Sequence, residues 1–184
     1  MLKYTLCLIK QGNKILLLNR EKPAWMGCWN GVGGKIEKGE NPRESALREI
    51  WEETSIKPQR IAFKGLMTWS NQEGGGFGGL YLYMAEVCSD HVCNTPLKTR
   101  EGILDWKEID WILHPDNLGV SSNLPGALHQ ALQDEAAYDY HSIFSGIRMI
   151  EQKASPIDPA IEFDEEKRNL YLKKYFAERD ASYA

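Results

Sequence analysis

Hydrophobic and polar positions alternate over several short stretches of the chain, and this period of two predicts β-strands. The first two strands are expected at Lys3–Lys10 and Ile15–Arg20, joined by the polar turn Gln11–Lys14. Further strands are expected at Ile61–Ser70 and Leu80–Val87, at Asp105–Trp111, where a turn is the alternative, and at Tyr140–Glu151, as one long strand or a strand pair. A sheet is therefore predicted at the centre of the fold.

The period changes to that of a helix at Pro42–Thr54. Asn41 is a good N-cap residue, Pro42 fits the first helical position, and Glu44 completes a capping box. Apolar and acidic residues then fall on separate stripes, with Ala46, Leu47, Ile50 and Thr54 on one and Glu49, Glu52 and Glu53 on the other. Further helices are expected at Leu124–Glu135 and Phe163–Arg179, so the pattern predicts an α/β fold with a mixed sheet.

The acidic stripe of this first helix is unfavourable unless something neutralises it. Like charges three or four residues apart destabilise a helix by roughly 0.2–0.5 kcal/mol per pair. Hard divalent cations bind such carboxylate oxygens and would remove the repulsion. The alternative is a solvated acidic face with no ligand.

Composition limits the classes of function. A chain of 184 residues that is 42% hydrophobic is long enough to form one domain with a proper core. The net charge of −4 does not attract polyanions, so we expect no bulk nucleic-acid binding, and a phosphate substrate must be held by local cations or a bound metal. The four cysteines and four histidines show no metal-site spacing. No secretion signal or membrane helix is recognisable, which predicts a soluble, cytoplasmic protein without membrane partners.

The segment Gly34–Ile56 carries a spaced motif. It matches the pattern G-x5-E-x7-R-E-U-x-E-E-x-G-U, in which U is a bulky aliphatic residue. The matching positions are Gly34, Glu40, Arg48, Glu49, Ile50, Glu52, Glu53 and Ile56, and Ser55 stands where the pattern has its second glycine. This pattern is the signature of the Nudix hydrolases, which the chain resembles, and so many matched positions make the resemblance far more specific than a lone glycine motif.

The resemblance extends beyond the motif. Tyr4–Leu6, Ile15–Arg20 and Trp29–Lys35 are similar to the MutT-type branch, whose members hydrolyse oxidised purine nucleoside triphosphates. Similarity is recognisable up to about Gln152. The resemblance implies an α/β/α sandwich at residues 1–152, followed by a C-terminal helical extension at residues 153–184 that packs on this domain or on a second subunit.

The same resemblance implies a set of catalytic and metal-binding residues. Mg²⁺, or alternatively Mn²⁺, is expected at Glu49, Glu52, Glu53 and Gly34, with Glu53 the indispensable ligand. Arg48 is expected to orient the carboxylates, and Glu40 to hold the loop or to support the metal indirectly. An exposed loop acid is the alternative for Glu40. Glu101 lies where MutT-type enzymes place an extra acid that faces the metals, and a surface glutamate is the alternative.

Substrate-binding residues follow from the resemblance in the same way. Gly33, Gly34, Lys35 and Arg20 are candidates to contact phosphate oxygens, although both glycines can equally be turn residues. Asn30 offers a donor and an acceptor to a purine edge. Trp69 is expected to stack on the base, and Phe77 or Leu118 to close the other side. Core packing is the alternative for each aromatic residue.

We expect from these residues a Mg²⁺-dependent enzyme that hydrolyses a nucleoside triphosphate, such as 8-oxo-dGTP, to a nucleoside monophosphate and diphosphate. A first alternative is a pyrophosphohydrolase that acts on another nucleoside diphosphate derivative or on RNA 5′ ends. A second is a non-catalytic nucleotide-sensing protein. The chain is expected to act as a monomer or a homodimer.

Overall fold

The computed structural model describes residues 2–72, 76–89 and 94–175. Within these residues, nine strands form one mixed sheet, in the order β6-β7-β2-β1-β5-β4-β8-β9, with β3 paired to β2. The strands are β1 (Thr5–Gln11), β2 (Lys14–Arg20), β3 (Trp29–Asn30), β4 (Arg60–Asn71), β5 (Gly78–Glu86), β6 (Leu97–Lys98), β7 (Gly102–Glu108), β8 (Tyr138–Ser145) and β9 (Arg148–Pro156). The pairs β1–β5 and β4–β8 are parallel, and the other pairs are antiparallel.

Helices cover both faces of the sheet. They are α1 (Pro42–Thr54), α2 (Ile109–Leu113), α3 (Leu124–Gln133) and α4 (Glu165–Leu172), with a short 3-10 helix at Pro159–Glu162 before the last. Ala46 and Ile50 of α1 belong to one buried cluster, while Ile112 of α2 and Leu128 of α3 belong to a second. The predicted α/β/α sandwich with a mixed sheet and a C-terminal helix is confirmed.

Helix α1 has the bounds that its local sequence predicts. The Asn41 side chain accepts a hydrogen bond from the Glu44 N–H at 2.9 Å, and the Glu44 carboxylate accepts one from the Asn41 N–H at 2.9 Å. At the other end Ser55 adopts a left-handed conformation with φ of 57°. Its N–H still donates to the Trp51 carbonyl at 2.8 Å, so the helix ends as it would with glycine, at a cost of about 1–2 kcal/mol.

Two predicted segments have a different structure. The strand expected at Asp105–Trp111 ends at Glu108, and α2 begins at Ile109, because Ile109 and Ile112 are three residues apart and bury the same helix face. The segment expected at Tyr140–Glu151 is the strand pair β8–β9, which turns at Gly146 with φ of 58°. Three parts of the chain considered in the sequence analysis lie outside the described ranges: residues 73–75 between the strands expected at Ile61–Ser70 and Leu80–Val87, Cys93, and the end of the expected C-terminal helix.

The C-terminal extension is attached to the sheet through buried polar contacts. Glu162 is 4% exposed and accepts hydrogen bonds from the Arg43 guanidinium at 2.8 and 3.0 Å and from the Tyr83 hydroxyl at 3.0 Å. Because Arg43 lies in the first turn of α1, this ion pair joins the extension to that helix. Strand β9 also runs through the predicted boundary at residue 152, so a division after Pro156 fits the secondary structure better.

A second buried contact holds α4 and the residues that follow it. Asp139 on β8 is fully buried and accepts hydrogen bonds from the Thr68 hydroxyl at 2.6 Å and the Tyr171 hydroxyl at 2.8 Å. The Tyr175 hydroxyl also donates to this carboxylate, and the Lys174 ammonium lies 3.6 Å away. The extension therefore packs on its own domain. No helix in the described residues is long and apolar enough to span a membrane.

The Arg43–Glu162 pair generates a stability prediction. We expect Glu162→Ala to lower the free energy of unfolding by about 1–3 kcal/mol, because removing the acid leaves a half-buried guanidinium and the buried Tyr83 hydroxyl without their partner. Urea denaturation measures this change. The matched control is Glu166→Ala on exposed α4 surface, expected within about 0.5 kcal/mol of wild type. Equal losses in the two variants would contradict the prediction.

Candidate active site

A main-chain pairing places the loop before α1 against the start of β1. The Thr5 N–H donates to the Gly34 carbonyl at 2.9 Å, and the Ile36 N–H donates to the Lys3 carbonyl at 2.9 Å. A Cβ atom at Gly34 would lie 2.3 Å from a carboxylate oxygen of Glu49, so only glycine lets the loop approach this side chain. The loop and the acidic stripe of α1 are thereby brought together.

Arg48 is the centre of the ion-pair network in this region. Its guanidinium donates to both Glu40 oxygens at 2.6 and 3.0 Å, to Glu49 at 2.8 Å and to Glu52 at 3.2 Å. It also donates to the Lys35 carbonyl at 3.0 Å. These bonds lower the pKa of Glu40 and raise that of Arg48. Arg48 therefore joins the loop to the helix and contacts the Glu49 and Glu52 carboxylates that it was expected to orient.

Glu53 lies outside the Arg48 network. One carboxylate oxygen accepts a hydrogen bond from the Gly33 N–H at 3.1 Å. The other, Oε2, is buried and has no hydrogen-bond partner among the described residues. Burial, followed by the nearby negative charges of Glu101 and Glu49, raises the pKa of Glu53 to about 8, although the Gly33 hydrogen bond acts in the opposite direction. A buried carboxylate of this kind is stabilised by a proton or by a cation.

Glu101 and Arg20 lie at neighbouring strand ends, and the charges of both act on Glu53. Arg20 on β2 is paired in register with Gly102 on β7, and Glu101 directly precedes that residue. The negative charge of Glu101 contributes to the raised pKa of both Glu49 and Glu53, while burial is the largest cause for each. The Lys22 ammonium lies 3.5 Å from the Glu101 carboxylate. Sequence reasoning missed Lys22, although a basic residue two positions after a strand that ends at a candidate site is a usable signal.

The acidic residues fit a divalent cation. Among the residues that the structure describes, no group of three or more acidic, histidine or cysteine side chains already stands in a metal-binding arrangement. The unpartnered Glu53 oxygen and the Glu49 carboxylate packed against Gly34 are nevertheless donors of the type that hard cations prefer. Glu52 has an exposed side chain and reaches the same cluster through Arg48. Glu49, Glu52, Glu53 and the Gly34 backbone remain the predicted ligands.

Three of the predicted substrate-binding residues, Asn30, Lys35 and Trp69, lie on different elements of the fold. Asn30 on β3 is buried, and its side-chain oxygen accepts a hydrogen bond from the Gly31 N–H at 2.9 Å. Lys35 is exposed on the loop. Trp69 lies at the end of β4 against Gly78, where a Cβ atom would come within 2.4 Å of its ring.

Phe77 and Leu118, the two residues expected to close the base pocket, have different surroundings. Phe77 stacks on Tyr175 of the extension, with ring centroids 4.8 Å apart and an interplanar angle of 20°. Leu118 is 90% exposed. The sequence could not indicate the position of Phe77, because its stacking partner is almost one hundred residues away in the chain.

Comparison with known proteins identifies the family. The NUDIX domain family matches residues 3–124, which is more than half of the chain. The chain belongs to the Nudix family. This match confirms the resemblance drawn from the motif, and hydrolase-named relatives support the expectation of a pyrophosphohydrolase.

Two curated Nudix relatives match over most of the domain. Nudix hydrolase YvcI of Bacillus subtilis is 29% identical over 108 residues, which cover 59% of this chain and 66% of YvcI. The oxidized purine nucleoside triphosphate hydrolase of Mus musculus is 29% identical over 113 residues, which cover 61% of this chain and 70% of the mouse protein. Among solved structures, the MutT protein of Bacillus halodurans has a TM-score of 0.69 and 24% identity, and the match covers 84% of this chain and 98% of that chain. The structural likeness shows a shared Nudix fold.

The buried Glu53 carboxylate generates a prediction for the metal-free protein. The pKa of Glu53 in the folded state, about 8, lies above its usual value of 4.5, so the folded state binds more protons than the unfolded state between these values. Stability from this group is therefore present at low pH and is lost as the pH rises through about 8. In EDTA, we expect Glu53→Gln to be more stable than wild type by about 1–3 kcal/mol near pH 8 and by less near pH 5.

Urea denaturation at several pH values measures this difference. Glu52→Gln is the matched control, since the Glu52 side chain is 58% exposed and its charge is solvated. Added Mg²⁺ is expected to narrow the gap between wild type and Glu53→Gln near pH 8, because the cation stabilises only the carboxylate. A gap that does not depend on pH would show that the Glu53 charge is not the cause.

Proposed function

We propose that this protein is a Mg²⁺-dependent Nudix pyrophosphohydrolase that converts an oxidised purine nucleoside triphosphate, such as 8-oxo-dGTP, to the monophosphate and diphosphate. The observation that carries this proposal is the buried Glu53 carboxylate with one oxygen unpartnered among the described residues. It lies on the same helix as Glu49 and Glu52, where the family motif has its acids. A cytoplasmic location, where nucleoside triphosphates are formed, fits this proposal.

Each residue of the site has a distinct part in this reaction. Bound Mg²⁺ would neutralise the phosphate oxygens and activate the attacking water. Glu49, Glu52 and Glu53 would hold it, and Arg48 keeps two of these carboxylates oriented through bonds of 2.8 and 3.2 Å. Glu101 stands close enough to influence the pKa of Glu49 and Glu53, which makes it the candidate to accept the proton of the water. Arg20 and Lys35 supply positive charge for the phosphates.

The purine preference rests on fewer observations. Asn30 is buried beside the glycine loop and has an amide that can both donate to and accept from a purine edge. The mouse relative is named for oxidised purine nucleoside triphosphates, and its match extends over 113 residues.

The alternative function is a pyrophosphohydrolase that acts on RNA 5′ ends or on another nucleoside diphosphate derivative. An RNA pyrophosphohydrolase of Cereibacter sphaeroides is 44% identical over 57 residues, but these are only 27% of this chain and 35% of that protein. An ADP-ribose pyrophosphatase of Methanocaldococcus jannaschii is 35% identical over 69 residues, or 38% of this chain and 41% of that protein. Matches this short are consistent with a shared phosphoanhydride chemistry and carry little information on the base. A nucleotide sensor without catalysis is disfavoured by the complete set of motif acids.

The catalytic proposal predicts the effect of one conservative change. Glu53→Gln is expected to reduce kcat by at least about a hundredfold while the protein remains folded, because a charge that stabilises the transition state is lost. Phosphate and diphosphate release from a panel of nucleoside triphosphates, ADP-ribose and 5′-triphosphorylated RNA measures turnover. EDTA should abolish it in the wild-type enzyme. Glu37→Gln, which changes an exposed loop acid at an unconstrained position of the motif, is the control. Near-normal turnover in folded Glu53→Gln would overturn the assignment.

The base-recognition proposal makes a separate prediction. Asn30→Ala is expected to reduce discrimination between oxidised and ordinary purine nucleotides by about 1–3 kcal/mol, because a buried edge contact is removed. The ratios of kcat/KM for 8-oxo-dGTP, dGTP and dATP measure it. Asn13→Ala in the distant β1–β2 turn is the matched control. Unchanged ratios in Asn30→Ala would place the purine site elsewhere.

A further inference from the structure

A groove lies between the sheet and the C-terminal extension. Its volume is about 420 Å³, within the range of small-molecule sites. The domain contributes the N-terminal segment at Leu2–Tyr4 and the facing ends of β4 and β5, and the extension contributes one side of α4. The extension therefore forms a wall of the groove.

The groove has an apolar base, aromatic sides and a polar rim. Leu2 and Leu172 are 5% exposed and belong to the buried cluster beneath α1 and α4. Trp69 and Phe77 are half-buried, and both were candidates for contact with a base. Asn169 and Lys173, which are exposed and one helical turn apart on α4, form the rim. This combination suits a planar aromatic ligand with hydrogen-bonding groups on its edge.

The groove adjoins the loop before α1, which carries Gly33, Gly34 and Lys35. Lys3 and Tyr4 line it, and the same two residues pair with the loop, since the Lys3 carbonyl accepts from the Ile36 N–H at 2.9 Å and Tyr4 forms a bridge with Lys35. Gly33, two residues before Lys35, donates to Glu53. A ligand in the groove therefore lies against the strand that borders the phosphate-binding candidates.

We propose that this groove receives the base of the nucleotide, and that Asn169 and Lys173 of the C-terminal extension are specificity residues for it. This inference rests on the proposed function. It extends the base site beyond Asn30 and assigns the extension a role in recognition as well as in stability.

The rim chemistry selects a type of base. The Lys173 ammonium can only donate hydrogen bonds. At its 6-position guanine presents the acceptor O6, whether or not C8 is oxidised, while adenine presents an amino donor there. Lys173 therefore favours a base with a keto group over one with an amino group, and Asn169, whose amide both donates and accepts, contributes affinity with less selectivity.

Calorimetric titration with guanosine and adenosine monophosphates in EDTA tests this inference without catalysis. Lys173→Ala is expected to weaken guanosine monophosphate binding about tenfold and adenosine monophosphate binding by less than about twofold. Asn169→Ala should weaken both to a similar extent. Lys153→Ala, which removes one exposed lysine from edge strand β9, is the matched control for charge and should leave both affinities unchanged. Thermal melts confirm that each variant is folded.

The outcomes separate this inference from the proposed function. If triphosphates are hydrolysed but the Lys173 and Asn169 variants bind both nucleotides as wild type does, the base lies outside the groove and the inference is wrong. The same conclusion follows if wild type shows no measurable binding of either monophosphate. If guanine selectivity depends on Lys173 while no triphosphate is hydrolysed, the inference stands and the catalytic proposal is wrong.

Discussion

One guanidinium makes the acidic stripe of α1 compatible with a folded protein. Glu40, Glu49 and Glu52 lie close together, and without a counter-ion their repulsion would oppose both the helix and the loop beside it. Arg48 pairs with all three and also binds the Lys35 carbonyl, with its side chain only 21% exposed. Partial burial makes these bonds stronger than ordinary surface ion pairs. The position of the loop, and hence of Gly33 and Gly34, depends on this residue.

The negative charge of Glu53 is not neutralised by Arg48. Its burial and its single Gly33 hydrogen bond give the site an acceptor whose remaining oxygen has no partner in the described part of the chain. A fully paired carboxylate would make the metal-free protein more stable, but it would have to exchange its partner for a cation on binding. Because one Glu53 oxygen is unpaired, the cost of burying its charge falls on the metal-free state. Binding of a cation would remove this cost and would therefore be more favourable.

The features predicted correctly from the sequence are those whose causes are local. The bounds of α1 follow from Asn41 and Glu44 at one end and from the motif spacing at the other. Contacts between distant segments could not be predicted. Nothing near Glu162 indicates that its partner is Arg43, which is 119 residues away, and nothing near Asp139 indicates that Tyr171 will donate to it. The proximity of Arg48 to the motif carboxylates could therefore be predicted from the sequence, while the stacking of Phe77 on Tyr175 could not.

The extension changes what the Nudix domain presents on this side of the sheet. Its Glu162 carboxylate accepts hydrogen bonds from Arg43 of α1 and Tyr83 of β5, and Tyr171 of α4 donates to the buried Asp139 of β8. The extension therefore cannot shift without breaking contacts at two separate points. A helix fixed in this way can contribute to a binding surface with defined geometry, because its position does not depend on the ligand. The candidate metal-binding acids lie on α1 and belong to the family motif, whereas the groove wall comes from residues after it. Substrate preference can therefore change through the extension while the arrangement of Arg48 and the carboxylates is preserved.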